Sequence, residues 1–168
     1  IGMADNIKSI LPDGEAGLWV GTHIGGLSYL HRASRRIENF PIQTMLPINN
    51  GCYALLSSED GKGLWVGTLG GLMYFDKATR RFSRHAAAER EKRLASGQIM
   101  ALMRDREGSV WIGSDQGLYR CSSDGAEVRS LNGLKLEDGS LMGSRFVQSL
   151  LEDSEGAIWV GTKQGLFR

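Results

Sequence analysis

The chain has 168 residues, of which 41% are apolar and 23% charged, and a formal net charge of +1. That is the make-up of an ordinary globular domain. The balanced charge offers no strong field for nucleic acid or an anionic membrane, and no apolar run approaches the roughly 18 residues needed to cross a bilayer.

The first apolar run is Ile7-Lys8-Ser9-Ile10-Leu11. A turn at Asp13-Gly14 leads to Leu18-Trp19-Val20-Gly21-Thr22. A second turn at Gly25-Gly26 opens a third run, Leu27-Ser28-Tyr29-Leu30, and Arg36-Ile37-Glu38-Asn39-Phe40 is a weaker fourth. After a connection over residues 41–52 the same order returns: Tyr53-Ala54-Leu55-Leu56, Asp60-Gly61, Leu64-Trp65-Val66-Gly67-Thr68, Gly70-Gly71, Leu72-Met73-Tyr74-Phe75 and Arg81-Phe82-Ser83-Arg84. A connection over 86–98 follows. Ala86 to Leu94 in it suits one or two helical turns, with Glu89 and Arg93 spaced for an i,i+4 pair. The third copy runs through Ile99 to Met103, Glu107-Gly108, Val110-Trp111-Ile112-Gly113-Ser114, Gly117, Leu118-Tyr119-Arg120 and Glu127 to Leu131. Beyond a connection over 132–146, the fourth runs through Val147 to Leu151, Glu155-Gly156, Ile158-Trp159-Val160-Gly161-Thr162, Gly165 and Leu166-Phe167-Arg168.

The four tryptophans stand 46, 46 and 48 residues apart. A fixed period of this length is one structural unit used four times, and periods of roughly 40–50 residues belong to propeller blades or helical repeats. The 23 glycines, about double the usual fraction, break each unit twice and leave no room for a pair of helices. Runs of four to six residues rich in β-branched and aromatic side chains are strands. The Trp strands are apolar on both faces, so both faces are covered. Sheets stacked around an axis supply that cover. The chain is therefore predicted to be an all-β, β-propeller fold of four-stranded antiparallel meanders, with blades at about 7–40, 53–85, 99–131 and 147–168, the last one incomplete.

Small residues, Ser9, Ala54, Ala101 and Ser149, suit an inner strand near a crowded axis. The charged fourth runs suit an outer edge, and Arg35-Arg36 and Arg80-Arg81 read as solvated edge charges. Propellers close with typically four to eight blades. Four units without a final sealing strand therefore read as one partial region, an arc excised from a larger ring. Such an arc is expected to self-associate through exposed blade edges or faces.

The residues carry little chemistry. There is no His-Glu-x-x-His, Gly-x-Ser-x-Gly or Cys-x-x-Cys, so no catalytic residue, metal site or cofactor is expected. Cys52 and Cys121 read as two free, partly buried thiols. Asp124-Gly125 and Asp138-Gly139 read as tight turns, because the alternating acids of a calcium loop are missing. His23, His31 and His85 all read as solvated loop histidines. His23 stands out because its loop is one residue longer than in the other copies. The loops after the Trp strands and the long connections open on one end of the blades, where a rigid scaffold would carry recognition. The candidate ligand-binding residues there are His23, Asp115, Gln116, Lys163 and Gln164. Trp19, Trp65, Trp111 and Trp159 with Gly21, Gly67, Gly113 and Gly161 are the structural repeat.

The stretch from Leu150-Leu151-Glu152-Asp153 through Trp159-Val160-Gly161-Thr162 to Gly165-Leu166-Phe167-Arg168 resembles the two-component regulator propeller repeat. The other three copies follow it, with Pro12 replacing an acid in the first and Ser114 a Thr in the third. The resemblance implies a periplasmic sensor region of a bacterial signalling protein, ahead of a membrane helix and an output domain such as a histidine kinase or a cyclic-dinucleotide synthase. It also implies a small ligand, an oligosaccharide in some members, or a partner protein. The leading expectation is a non-enzymatic ligand-recognition propeller. Two rivals stand beside it: a propeller enzyme of glycoside hydrolase or lyase type, and an interaction platform without a small ligand. The Asp-x-x-Gly-x-x-Trp spacing of Asp105 to Trp111 and Asp153 to Trp159 resembles the turn motif of sialidase-type propellers, where it is structural.

Overall fold

The computed structural model describes residues 6–42, 51–135, 139, 141–143 and 145–168. Asp138 and parts of the connections over 41–52 and 132–146 lie outside them. The first sheet is β1 (Ile7–Asp13), β2 (Gly17–Thr22), β3 (Leu27–His31) and β4 (Ile37–Phe40). The second is β5 (Cys52–Ser57), β6 (Gly63–Thr68), β7 (Gly71–Asp76) and β8 (Arg81–Arg84). The third is β9 (Ile99–Arg104), β10 (Val110–Ser114), β11 (Gly117–Cys121) and β12 (Val128–Ser130). The fourth has three strands, β13 (Val147–Glu152), β14 (Ile158–Thr162) and β15 (Gly165–Phe167). All four are antiparallel meanders in sequence order, so the fold is a sector of a β-propeller.

The register explains the stacking. Trp19 pairs with Leu11 and Tyr29 across its sheet, and this face buries against Leu64, Val66 and Phe75 of the second sheet. Trp65, flanked by Leu56 and Tyr74, meets Val110, Ile112 and Tyr119 of the third. Trp111 and Leu118 meet Ile158 and Val160 of the fourth. Each tryptophan face thus lies on the aliphatic face of the next sheet. The first interface adds a ring cluster, with Trp19 centred 4.5 Å from Tyr29 and 5.4 Å from Phe75. Every large side chain fully buried this way contributes roughly 1.5–3 kcal/mol.

The end sheets show what stacking covers elsewhere. Beside Trp159, Leu151 and Leu166 are 62% and 66% exposed, and on the opposite face of the first sheet Ile10 is 61% exposed. Inner strands pack in the order β1, β5, β9, β13, and β13 does not pack on β1 as the others pack on their neighbours.

Glycine in the Trp strand permits close approach. A Cβ on Gly67 would stand 2.8 Å from the Ile99 carbonyl oxygen and 2.9 Å from its Cγ2, with Ala54 Cβ at 3.1 Å. The small inner-strand residues therefore sit opposite these glycines, and the next blade closes over both. Gly67→Ala is expected to lower stability by about 1–3 kcal/mol through overpacking, read as a fall in the urea midpoint at unchanged slope.

The predicted helical connection is two short helices, α1 (Ala86–Arg90) and α2 (Lys92–Ser96). Extended backbone at Glu91 (φ −115°, ψ 103°) separates them. The i,i+4 relation expected between Glu89 and Arg93 is thereby lost, because it requires a continuous helix. Glu91 instead caps α2, its carboxylate accepting from the Arg93 N–H at 3.1 Å. Cys52 and Cys121 are free and buried, and burial pushes both thiols up to about 12. They behave as small apolar side chains.

Candidate functional site

Strand direction places residues 23, 115–116 and 163–164 at the end of the blades where the inner strands begin. A shared hydrogen bond fixes these loops: the N–H groups of His23, Asp115 and Lys163 donate to the carbonyls of Asn6, Gln98 and Phe146. The side chains have local duties. Asp115 Oδ1 accepts from the Gln98 N–H at 2.9 Å. The Gln116 carbonyl accepts from Asn132 Nδ2 at 2.8 Å. Lys163 Nζ lies 4.0 Å from the centre of the Phe146 ring, and the Gln164 N–H donates to Thr162 Oγ1 at 3.0 Å. Among the described residues, no hydrogen bond or ion pair joins the first-sheet, third-sheet and fourth-sheet candidates to one another.

His23 differs. Its Nδ1 stands 2.5 Å from the hydroxyl of Tyr53, and the two rings meet edge to face at 5.8 Å. Lys8 Nζ lies 5.7 Å from the same Tyr53 ring. Lys8 and Tyr53 both occupy a β-bulge, where the register skips one inner-strand residue. The other two inner strands skip Met100 and Gln148. A bulged residue leaves the ladder and is re-aimed. The four copies thus present Lys, Tyr, Met and Gln at one equivalent position. Period counting misaligns this site, because the turn before Trp65 is one residue longer and sets Tyr53 level with Ile7 rather than Lys8.

The acids of the Asp-x-x-Gly-x-x-Trp turns are spent on structure. Asp105 accepts from the Trp111 indole N–H at 2.8 Å and the Ser109 N–H at 2.8 Å. Asp153 accepts from the Trp159 indole N–H at 2.7 Å and the Ala157 N–H at 2.9 Å. The Trp159 hydrogen bond, followed by the backbone donors, holds the Asp153 carboxyl below its ordinary range. Asp105→Asn would turn an acceptor into a donor facing the indole N–H, and is expected to cost about 1–3 kcal/mol, measured by chemical denaturation.

The first two sheets lack this lock. Asp13 accepts instead from the Tyr29 hydroxyl at 3.1 Å and Lys77 Nζ at 3.1 Å, which leaves the buried Trp19 N–H unpaired. In the second sheet Ser58 takes the acid's place, and its hydroxyl bonds Asp60 and the Gly63 backbone. No described group accepts from the Trp65 N–H, although Trp65 is only 1% exposed. It lines a cavity of about 550 Å³ between the second and third sheets, together with Asp60, Tyr74, Arg84, His85 and Asp124. His85 is the histidine that departs from the solvated reading. It is 4% exposed, its ring is centred 3.7 Å from that of Trp65, and its Nδ1 accepts from the Ala87 N–H at 3.1 Å, capping α1. Burial pushes its pKa down to about 4, opposed in part by Asp124.

These features define a sector of a repeat propeller whose third and fourth blades are locked by indole–carboxylate turns. A two-component regulator propeller model matches residues 93–116 and 140–164. Similar solved structures include the extracellular domains of the hybrid two-component systems BT4673 and BT3049 of B. thetaiotaomicron. Each is 24% identical, with TM-scores of 0.74 and 0.73 over 96% and 99% of this chain. The chain spans 21% and 22% of their lengths. Virginiamycin B lyase from Staphylococcus aureus is 14% identical, with a TM-score of 0.68 over 99% of this chain and 56% of its own. At these identities the likeness is one of fold. No curated protein matches in sequence. Among the described residues, no helix is long and apolar enough to cross a membrane.

Proposed function

We propose that this chain is the recognition sector of a bacterial sensor propeller: non-enzymatic, extracytoplasmic, and binding a small ligand or partner at the end where the inner strands begin. The observation that carries this reading is the repeated β-bulge. A fixed framework presents a different side chain in each blade, with Lys8, Tyr53 and His23 gathered into one polar aromatic group. The family match and the fold shared with extracellular domains of two-component systems support the signalling context. Rigid blades suit a sensor, since a ligand acts by favouring one arrangement of packed units over another. The enzyme reading is weakened by the use of Asp105, Asp153 and Asp115 in hydrogen bonds that hold the turns. The exposed faces at Ile10 and at Leu151 and Leu166 are proposed to join blades of a longer ring or a second copy.

Calorimetry of the intact propeller against oligosaccharides and metabolites tests the proposal. Binding that Tyr53→Phe or Lys8→Ala weakens supports it. Saturable turnover of a ligand, or binding indifferent to both changes, overturns it.

A further inference from the structure

The cavity between the second and third sheets lies apart from that end, and its polar groups are sorted. Its donors stand on or directly after strands: Trp65 on β6, Arg84 on β8, and His85 just after it. Its carboxylates stand on turns, Glu59 and Asp60 between β5 and β6 and Asp124 between β11 and β12. The Trp65 Nε1–H has no protein acceptor. Because His85 Nδ1 accepts from Ala87, the neutral imidazole carries its proton on Nε2, which likewise has no protein acceptor. Both rings are more than nine-tenths buried, yet neither N–H is among the fully enclosed unpaired atoms, so each meets the cavity, where a ligand oxygen can accept from it. The covered faces of the indole leave only its N–H edge on offer, so the cavity is no stacking platform. Asp124 spends Oδ1 on its own turn, accepting from Ser122 and the Ala126 N–H. Asp60 does the same with Ser58 and the Lys62 N–H. Each keeps Oδ2 for another donor, although Lys62 Nζ stands 3.6 Å from that of Asp60.

N–H donors and carboxylates lining one cavity describe a receptor for a zwitterion. A phosphate would face three carboxylates, and a simple cation would leave the N–H groups unmet. We propose that this groove binds a free α-amino acid, its carboxylate on the Trp65 and His85 N–H groups and Arg84, its ammonium on Asp124 and Asp60. About 550 Å³ is ample for one.

The test is a titration of the ¹⁵N-labelled protein, with backbone and indole signals assigned, using glycine, serine and phenylalanine at up to millimolar concentration. N-acetylglycine, which lacks the ammonium, and ethanolamine, which lacks the carboxylate, are the controls. A saturable shift of the Trp65 indole signal is expected with at least one amino acid and with neither control. Asp124→Asn and Arg84→Ala, both on the surface, should each weaken it roughly tenfold, the loss of one charge-assisted contact. No shift with any amino acid, equal binding of a control, or binding unchanged in both variants overturns the proposal. None of these results bears on Tyr53 and Lys8, so this site and the one at the inner-strand end stand or fall separately.

Discussion

Replacing Trp65 by alanine is expected to cost about 3–5 kcal/mol, a large part of the 5–15 kcal/mol that holds a typical domain together. The indole is 1% exposed and belongs to a cluster with Leu72, Ile99, Val110, Ile112 and Tyr119. Its removal opens a hole between two sheets whose backbones are held by their own ladders and cannot collapse into it. The ring also supports the stacked His85, which caps α1. Trp159→Ala is the natural comparison. It is the same residue in the same strand of the repeat, but it lies beside the exposed Leu151 and Leu166, and no sheet among the described residues covers it. Its loss forfeits the hydrogen bond to Asp153 and some packing, a cost of about 1–2 kcal/mol. Urea unfolding of both variants reads the difference. Equal costs would mean that face-to-face stacking is not what the Trp strand supplies.

That contrast shows what could be read before any coordinates. The tryptophan spacing, the two glycine turns per unit and the short apolar runs specify strands, their order and the direction of stacking. Each is a local consequence of side-chain alternation and turn chemistry. The Asp-x-x-Gly-x-x-Trp spacing pointed to a structural turn, and the indole hydrogen bonds of Asp105 and Asp153 give the reason. Three features stayed hidden for definite reasons. The bulges at Lys8 and Tyr53 move side chains at positions that no shared residue type marks. The break at Glu91 depends on α1 and α2 packing separately against β7. The burial of His85 arises because the turn around Gly125 of the next blade closes on its ring, a contact 40 residues away in sequence. The open Trp65 N–H was hidden too: Glu59 stands six residues before Trp65, as Asp105 and Asp153 stand before theirs, but the turn is one residue longer and Ser58 takes the acid's place.

His85 should make the chain lose stability between about pH 6.5 and pH 4. Its folded pKa lies near 4, below the ordinary 6.5, chiefly because burial disfavours the charged ring. In that interval the unfolded chain binds a proton that the folded chain refuses, so stability falls as pH falls and levels off below pH 4 for this group. The full difference corresponds to about 3 kcal/mol. Asp60, Asp76, Asp124 and Asp153 also have lowered pKa values, mainly from hydrogen bonds to side-chain hydroxyls, backbone N–H groups or the Trp159 indole. Their contribution is present above the ordinary carboxylate pKa of about 4 and is lost below it, so the two windows separate. His85→Asn isolates the first. Asparagine is an effective N-cap and its carbonyl can accept from Ala87 as Nδ1 does, but it does not titrate. Unfolding free energies measured from neutral pH down to about pH 4 should slope in the parent chain and run flat in the variant, with the acid loss below that range retained by both. A parent chain with no slope, or a variant that keeps it, would place His85 in solvent and leave α1 without the buried cap that joins the second blade to the third.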